Sequence, residues 1–64
     1  MEDIMTNFYE ESLNFYDAGI TDYDSILAEC RDIAKDKELE KTMIENAGSV
    51  EEYARKILEA MEKI

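Results

Sequence analysis

The chain has 64 residues, with 17 Asp and Glu against 7 Lys and Arg, a formal net charge of −10 and no histidine. A domain of this size buries only about 60% of the surface its unfolded chain exposes, which leaves room for one small core, no second domain and no enclosed active-site cleft of ordinary size. Hydrophobic residues at 45%, two Gly and no Pro exclude a disordered tail and point to an all-α fold, a small single-domain bundle of three to four short helices.

The first helix is expected over about residues 2 to 17, where 100° steps gather Met1, Ile4, Met5, Phe8, Tyr9, Ser12, Phe15 and Tyr16 on one side, with Leu13 at the edge. Asp3, Asn7, Glu10, Asn14 and Asp17 take the opposite side. Gly19 suits a left-handed stop, sealed by Ile20. Thr21 is the expected cap of a second helix, with Asp24 in the place of the capping-box acid. That helix, about residues 22 to 35, carries one stripe of Tyr23, Ile26, Leu27, Cys30, Ile33 and Ala34.

The stripe loses phase after residue 36. Asp36 is placed to cap a separate helix over about residues 37 to 46, the alternative being one long curved helix. Gly48 can stop that segment, and Ser49-Val50-Glu51-Glu52 reads as a capping box opening a last helix over about residues 50 to 63. Its stripe is Val50, Tyr53, Ala54, Ile57, Leu58, Met61 and Ile64. Glu51 with Arg55, Glu52 with Lys56, and Glu59 with Lys63 stand in the favourable i,i+4 order, so this helix reads as ordinary scaffold.

Charge is segregated along the chain. Residues 1 to 30 contain Glu2, Asp3, Glu10, Glu11, Asp17, Asp22, Asp24 and Glu29 and no Lys or Arg, whereas the rest mixes nine acids with all seven bases. Asp3, Glu10 and Asp17 are seven apart, on one helical face and about 10 Å from each other along the axis. Segregated like charge costs stability in a domain with little to spare and creates a field that attracts cationic surfaces. Beside it lies an aromatic repeat: Asn7-Phe8-Tyr9-Glu10 recurs as Asn14-Phe15-Tyr16-Asp17, and Tyr23-Asp24 keeps the spacing past the turn. An apolar arc this broad is either wedged between two helices of its own bundle or leaves a Tyr edge free to bind.

Other chemistry is sparse. Without histidine there is no Ser-His or Cys-His nucleophile pair and no imidazole metal site, so an enzyme is not expected, nor any cofactor. Cys30 sits in the second helix's apolar stripe and reads as a small core residue. As a calcium loop starting at Asp17, the sequence puts Asp22 at the glycine position and Ala28 where the closing glutamate belongs, so no metal is assigned. Asp24-Ser25-Ile26-Leu27 at the start of a helix resembles the Asp-Ser-Leu of acyl carrier proteins, small acidic helical proteins whose serine bears the phosphopantetheine arm. Tyr23 replaces the glycine usual before that motif, and a tight turn replaces the long connection that precedes it, so Ser25 also fits an ordinary first-turn residue.

A lone Cys30 forms no intrachain disulfide, and a secreted domain this small normally needs such staples, so the expected location is cytoplasmic. The opening Met1-Glu2-Asp3-Ile4-Met5-Thr6 lacks the basic and apolar regions of a secretory signal. No apolar run approaches the roughly 20 residues that span a bilayer, and anchoring on an anionic membrane surface would use clustered Lys and Arg. Direct nucleic-acid binding is excluded for the same electrostatic reason. The expected partner is therefore a basic protein surface, including that of a nucleic-acid-binding protein, met by Asp3, Glu10, Asp17, Asp22, Asp24, Tyr9, Tyr16 and Tyr23. Such a protein would be a non-enzymatic interaction module acting as an inhibitor that mimics nucleic acid. The alternative is a small structural or accessory subunit that homodimerises through the aromatic face of the first helix.

Overall fold

A computed structural model describes residues 4–63, with side chains from Phe8 onward, and resolves four helices: α1 (Ile4–Asp17), α2 (Tyr23–Ile33), α3 (Lys37–Ala47) and α4 (Val50–Met61). No strand occurs among the described residues. The expectations for Met1, Glu2, Asp3 and Ile64, and for the side chains of Ile4 and Met5, lie outside that description.

Each boundary has a local cause. At the end of α1, the Gly19 N–H donates to the Tyr16 carbonyl (3.0 Å) and the Ile20 N–H to the Phe15 carbonyl (2.9 Å). Gly19 takes a φ of 80° to allow this pair of bonds. This is a Schellman stop, and Ile20 packs onto the core as its hydrophobic seal. The cap of α2 differs from expectation: it is Asp22, whose carboxylate accepts from the Ser25 N–H at 3.1 Å, not Thr21. Asp24 is an exposed first-turn acid, favourable at the positive end of the helix.

Between α2 and α3 the helical bonds tighten to i→i−3, with the Lys35 N–H on the Asp32 carbonyl and the Asp36 N–H on the Ile33 carbonyl. Asp36 then swings to extended backbone (φ −80°, ψ 116°) and its carboxylate accepts from the Glu38 N–H at 3.0 Å. The chain thus breaks at Asp36, and the single curved helix is not formed. Gly48, at φ 96°, closes α3, and the Ser49 hydroxyl accepts from the Glu52 N–H at 3.1 Å to open α4.

The helices assemble around α4. It makes the principal packing contacts with α1, α2 and α3, using Ala54, Ile57, Ala60 and Met61 as its buried face and Val50, Tyr53 and Leu58 at the margins. Ala54 and Ala60 are small enough to let neighbouring helices approach. Phe8 and Phe15 come from α1, Ile26 and Cys30 from α2, and Met43 from α3. The Phe8 and Tyr53 rings meet with centroids 4.9 Å apart and planes tilted by 58°, a favourable edge-directed geometry. The helix that reads as scaffold in the sequence is the hub. The molecule is a slab with extents of 30 × 28 × 15 Å, so a peripheral helix such as α1 keeps an outer flank in water.

Candidate functional site

The apolar arc of α1 is divided between two environments. Phe8, Ser12 and Phe15 are buried against the bundle, and the Ser12 hydroxyl satisfies itself by donating to the Tyr9 carbonyl at 2.6 Å. Tyr9, Leu13 and Tyr16 follow one another at i, i+4 and i+7 on the adjoining flank and remain 43%, 37% and 55% exposed. Of the broad arc, the described part packs chiefly against α4, and its Tyr edge is left exposed. The reason is packing: Phe8 and Phe15 face α4, the principal neighbour of α1, whereas Tyr9, Leu13 and Tyr16 lie on a flank turned away from that contact.

Carboxylates border this stripe. Glu10 and Asp17 are exposed. At 100° per residue they lie about 40 to 60° further round α1 than Leu13, on the side away from the core, and about 10 Å apart along the axis. The chain then turns through residues 18–22, bringing Asp22 and Asp24 to the start of α2 next to the end of α1. Asp22 is committed to its cap, where the Ser25 backbone N–H and then the Ser25 side chain hold its carboxyl below the ordinary value. Asp3, which would continue the row beyond Glu10, lies outside the described residues.

Tyr23 belongs elsewhere. It is half-buried across the α2–α4 contact, its hydroxyl donates to the Glu51 carbonyl at 3.4 Å, and the Arg55 guanidinium carbon sits 6.0 Å from its ring centroid. The heptad spacing places it in line with Tyr9 and Tyr16 only if the helix continues, and the Gly19 turn breaks that line.

Ion pairing preserves the charge segregation. Among the described residues, the pairs are Arg31–Glu51 (3.3 Å), Lys35–Asp32 (3.3 Å) and Arg55–Glu52 (3.6 Å). Every partner comes from the second half of the chain, so no acid of the first thirty positions is neutralised by these pairs. None is an i,i+4 pair of α4: Arg55 turns one turn back to Glu52, and Glu51 is taken by Arg31 from α2. Its own backbone N–H and Arg31 hold the Glu51 carboxyl below the usual value.

No family model matches the chain, and no curated protein or solved structure matches it. Among the described residues, no group of three or more Cys, Asp or Glu is placed to hold a metal ion. Cys30 is fully buried, and desolvation, followed by the charges of Glu11 and Glu29, pushes its thiol up to about 11. Ser25 is exposed in the first turn of α2 with its backbone N–H on the Asp22 carboxylate. Among the described residues, no helix is long and apolar enough to cross a membrane.

Beyond the α1 flank, sequence reasoning missed one feature. Glu11 is half-buried at a groove where all four helices meet, lined by Phe15, Ile33, Leu39, Thr42, Met43 and Tyr53. The signal was present in the periodicity, since Glu11 falls between the buried Phe8 and Phe15 lines and the exposed Asn14 line, at the margin of the core face.

Proposed function

We propose that the protein is a non-enzymatic interaction module of the cytoplasm whose α1 flank docks on a basic, partly apolar surface of another protein. One observation carries this reading: Tyr9, Leu13 and Tyr16 form an exposed apolar stripe directly bordered by Glu10 and Asp17, in a half-chain whose acids take no part in the ion pairs described above. Tyr rings bury a large area with few rotors and keep a hydroxyl for water, which suits them to an interface. Carboxylates spaced along a helix meet Lys and Arg much as phosphates do, and release counterions on contact. A nucleic-acid-binding protein is the partner such spacing favours, and occupation of its basic groove makes the module an inhibitor that mimics nucleic acid.

The same exposed stripe supports a second reading, a homodimer through Tyr9, Leu13 and Tyr16 with the carboxylates turned outward. One experiment separates them. A photo-crosslinking phenylalanine analogue is placed at Tyr16 and, as a control, at the exposed Glu59 of α4. Crosslinks at position 16 to a basic protein, lost between low and moderate salt and missing at position 59, support the docking module. Salt-insensitive crosslinks to a second copy establish the homodimer instead, and equal yields at both positions contradict each reading.

A further inference from the structure

Glu11 stands at the rim of a groove where all four helices meet. Its volume is about 340 Å³, and it is lined by the aromatic residues Phe15 and Tyr53, the aliphatic Ile33 and Leu39, and Met43 and Thr42. Specific small-ligand sites are mostly apolar, with a few polar groups that fix orientation, and begin at about 300 Å³. Here the orienting group is Glu11. No Lys or Arg nitrogen lies within ion-pairing distance of its carboxylate among the described residues. Thr42 does not compete for it, because the Thr42 hydroxyl donates to the Glu38 carbonyl of its own helix at 3.1 Å.

The direction in which two neighbouring groups are shifted agrees with Glu11 lying beside the groove wall. Burial first, and after it the Glu11 charge, pushes both the Tyr53 hydroxyl and the Cys30 thiol above their ordinary values. An anion at the lip of an apolar and aromatic cleft excludes anionic ligands and leaves neutral ones without an anchor. It favours a molecule with an apolar stem ending in an ammonium or guanidinium group, whose charge meets the carboxylate while the stem covers the apolar wall.

We propose that the Phe15–Met43–Tyr53 groove, with Glu11 at its rim, binds a small organic cation with an apolar stem. The site lies on the flank of α1 opposite the Tyr stripe, so it stands or falls independently of the docking face. Its ligand is either a free arylalkyl amine or an arginine side chain presented by another molecule, and the test has an arm for each.

The full chain, labelled at the methionine methyls, is titrated with phenethylammonium, with n-butylguanidinium and with the neutral isostere 2-phenylethanol, while the Met43 resonance is followed. The site predicts a saturable shift of Met43 with at least one cation, at least about tenfold weaker binding of the neutral isostere, and a comparable loss in Glu11→Gln. Tighter binding of phenethylammonium identifies the free amine, and tighter binding of butylguanidinium identifies the arginine side chain. The inference is overturned if neither cation saturates, or if the alcohol binds as well as the amine. Cation binding that survives Glu11→Gln, in a variant whose circular dichroism matches the parent, overturns it as well.

Discussion

Truncation of the two exposed tyrosines separates an interface residue from a core residue by magnitude. A fully buried aromatic side chain contributes about 3–5 kcal/mol against alanine. Phe8, at 2% exposure and in contact with the Tyr53 ring, belongs to that class. Tyr9 and Tyr16 keep 43% and 55% of their surface in water, so each forfeits roughly 1 kcal/mol of burial on truncation and regains about half of that from the better helix propensity of alanine. Tyr9→Ala/Tyr16→Ala should then cost about 1 kcal/mol together, which for a domain of this length lowers Tm by roughly 4–8 °C. Phe8→Ala removes an amount comparable to the whole stability of a small domain and should leave the chain largely unfolded at 25 °C. Thermal melts followed by helical circular dichroism at 222 nm measure both. A double Tyr variant that melts as low as Phe8→Ala would refute the division of the α1 arc into a packed and a free flank.

Four other outcomes test the framework. Asp22→Ala should lower Tm by about 5 °C, because the Ser25 N–H loses its partner, whereas Thr21→Ala should leave Tm unchanged; the reverse order would restore Thr21 as the cap. Gly48→Ala should destabilise by about 1–2 kcal/mol although a Cβ there meets nothing within 4 Å, since the cost is that of φ 96° for an L side chain; a neutral denaturant midpoint would show that the turn relaxes. Cys30 should resist Ellman's reagent in the native state at pH 8 and react at once in guanidinium. Its native thiol holds a proton up to about pH 11 that the unfolded chain releases near 9, so stability falls as pH rises across that window, and Tyr53, shifted upward as well, adds to the fall at its upper end. A denaturant midpoint that stays flat from pH 8.5 to 11 would contradict that environment.

The helices were legible in the sequence because their signals are local. Gly19, Asp36, Gly48 and Ser49 each act within one turn of the backbone, and each stands where the sequence puts it. Asp22 was overlooked in favour of Thr21 because either can cap, and the choice depends on where the chain leaves the Gly19 turn. The hub could not be read in the same way. The α4 stripe gains its breadth from Ala60, a residue that periodicity alone passes over, while the α1 arc looks broader only because Tyr9 and Tyr16 count as apolar although their hydroxyls accept water.

Pairing of charges was the least legible feature, since Arg31 reaches Glu51 across twenty residues of chain and leaves Arg55 to Glu52. Exposed pairs of this kind are worth little, about 0–1 kcal/mol, so small differences in helix placement decide which of them form. Of the candidate binding residues, the α1 members could be placed from heptad spacing. Tyr23 could not, because its position depends on a turn and on a partner helix, α4, that lies beyond it in the chain.

The central claim, that the α1 flank docks on a basic, partly apolar protein surface, is tested most directly by mapping the contact on the protein itself. The backbone-labelled chain is mixed with the protein that crosslinks at position 16, and amide shifts are followed at low and moderate salt. The account predicts changes concentrated on Tyr9, Glu10, Leu13, Tyr16 and Asp17, extending to Asp24, and fading as salt rises. Changes centred on the outer face of α4, around Glu52, Arg55 and Glu59, or an α1 footprint indifferent to salt, would contradict it.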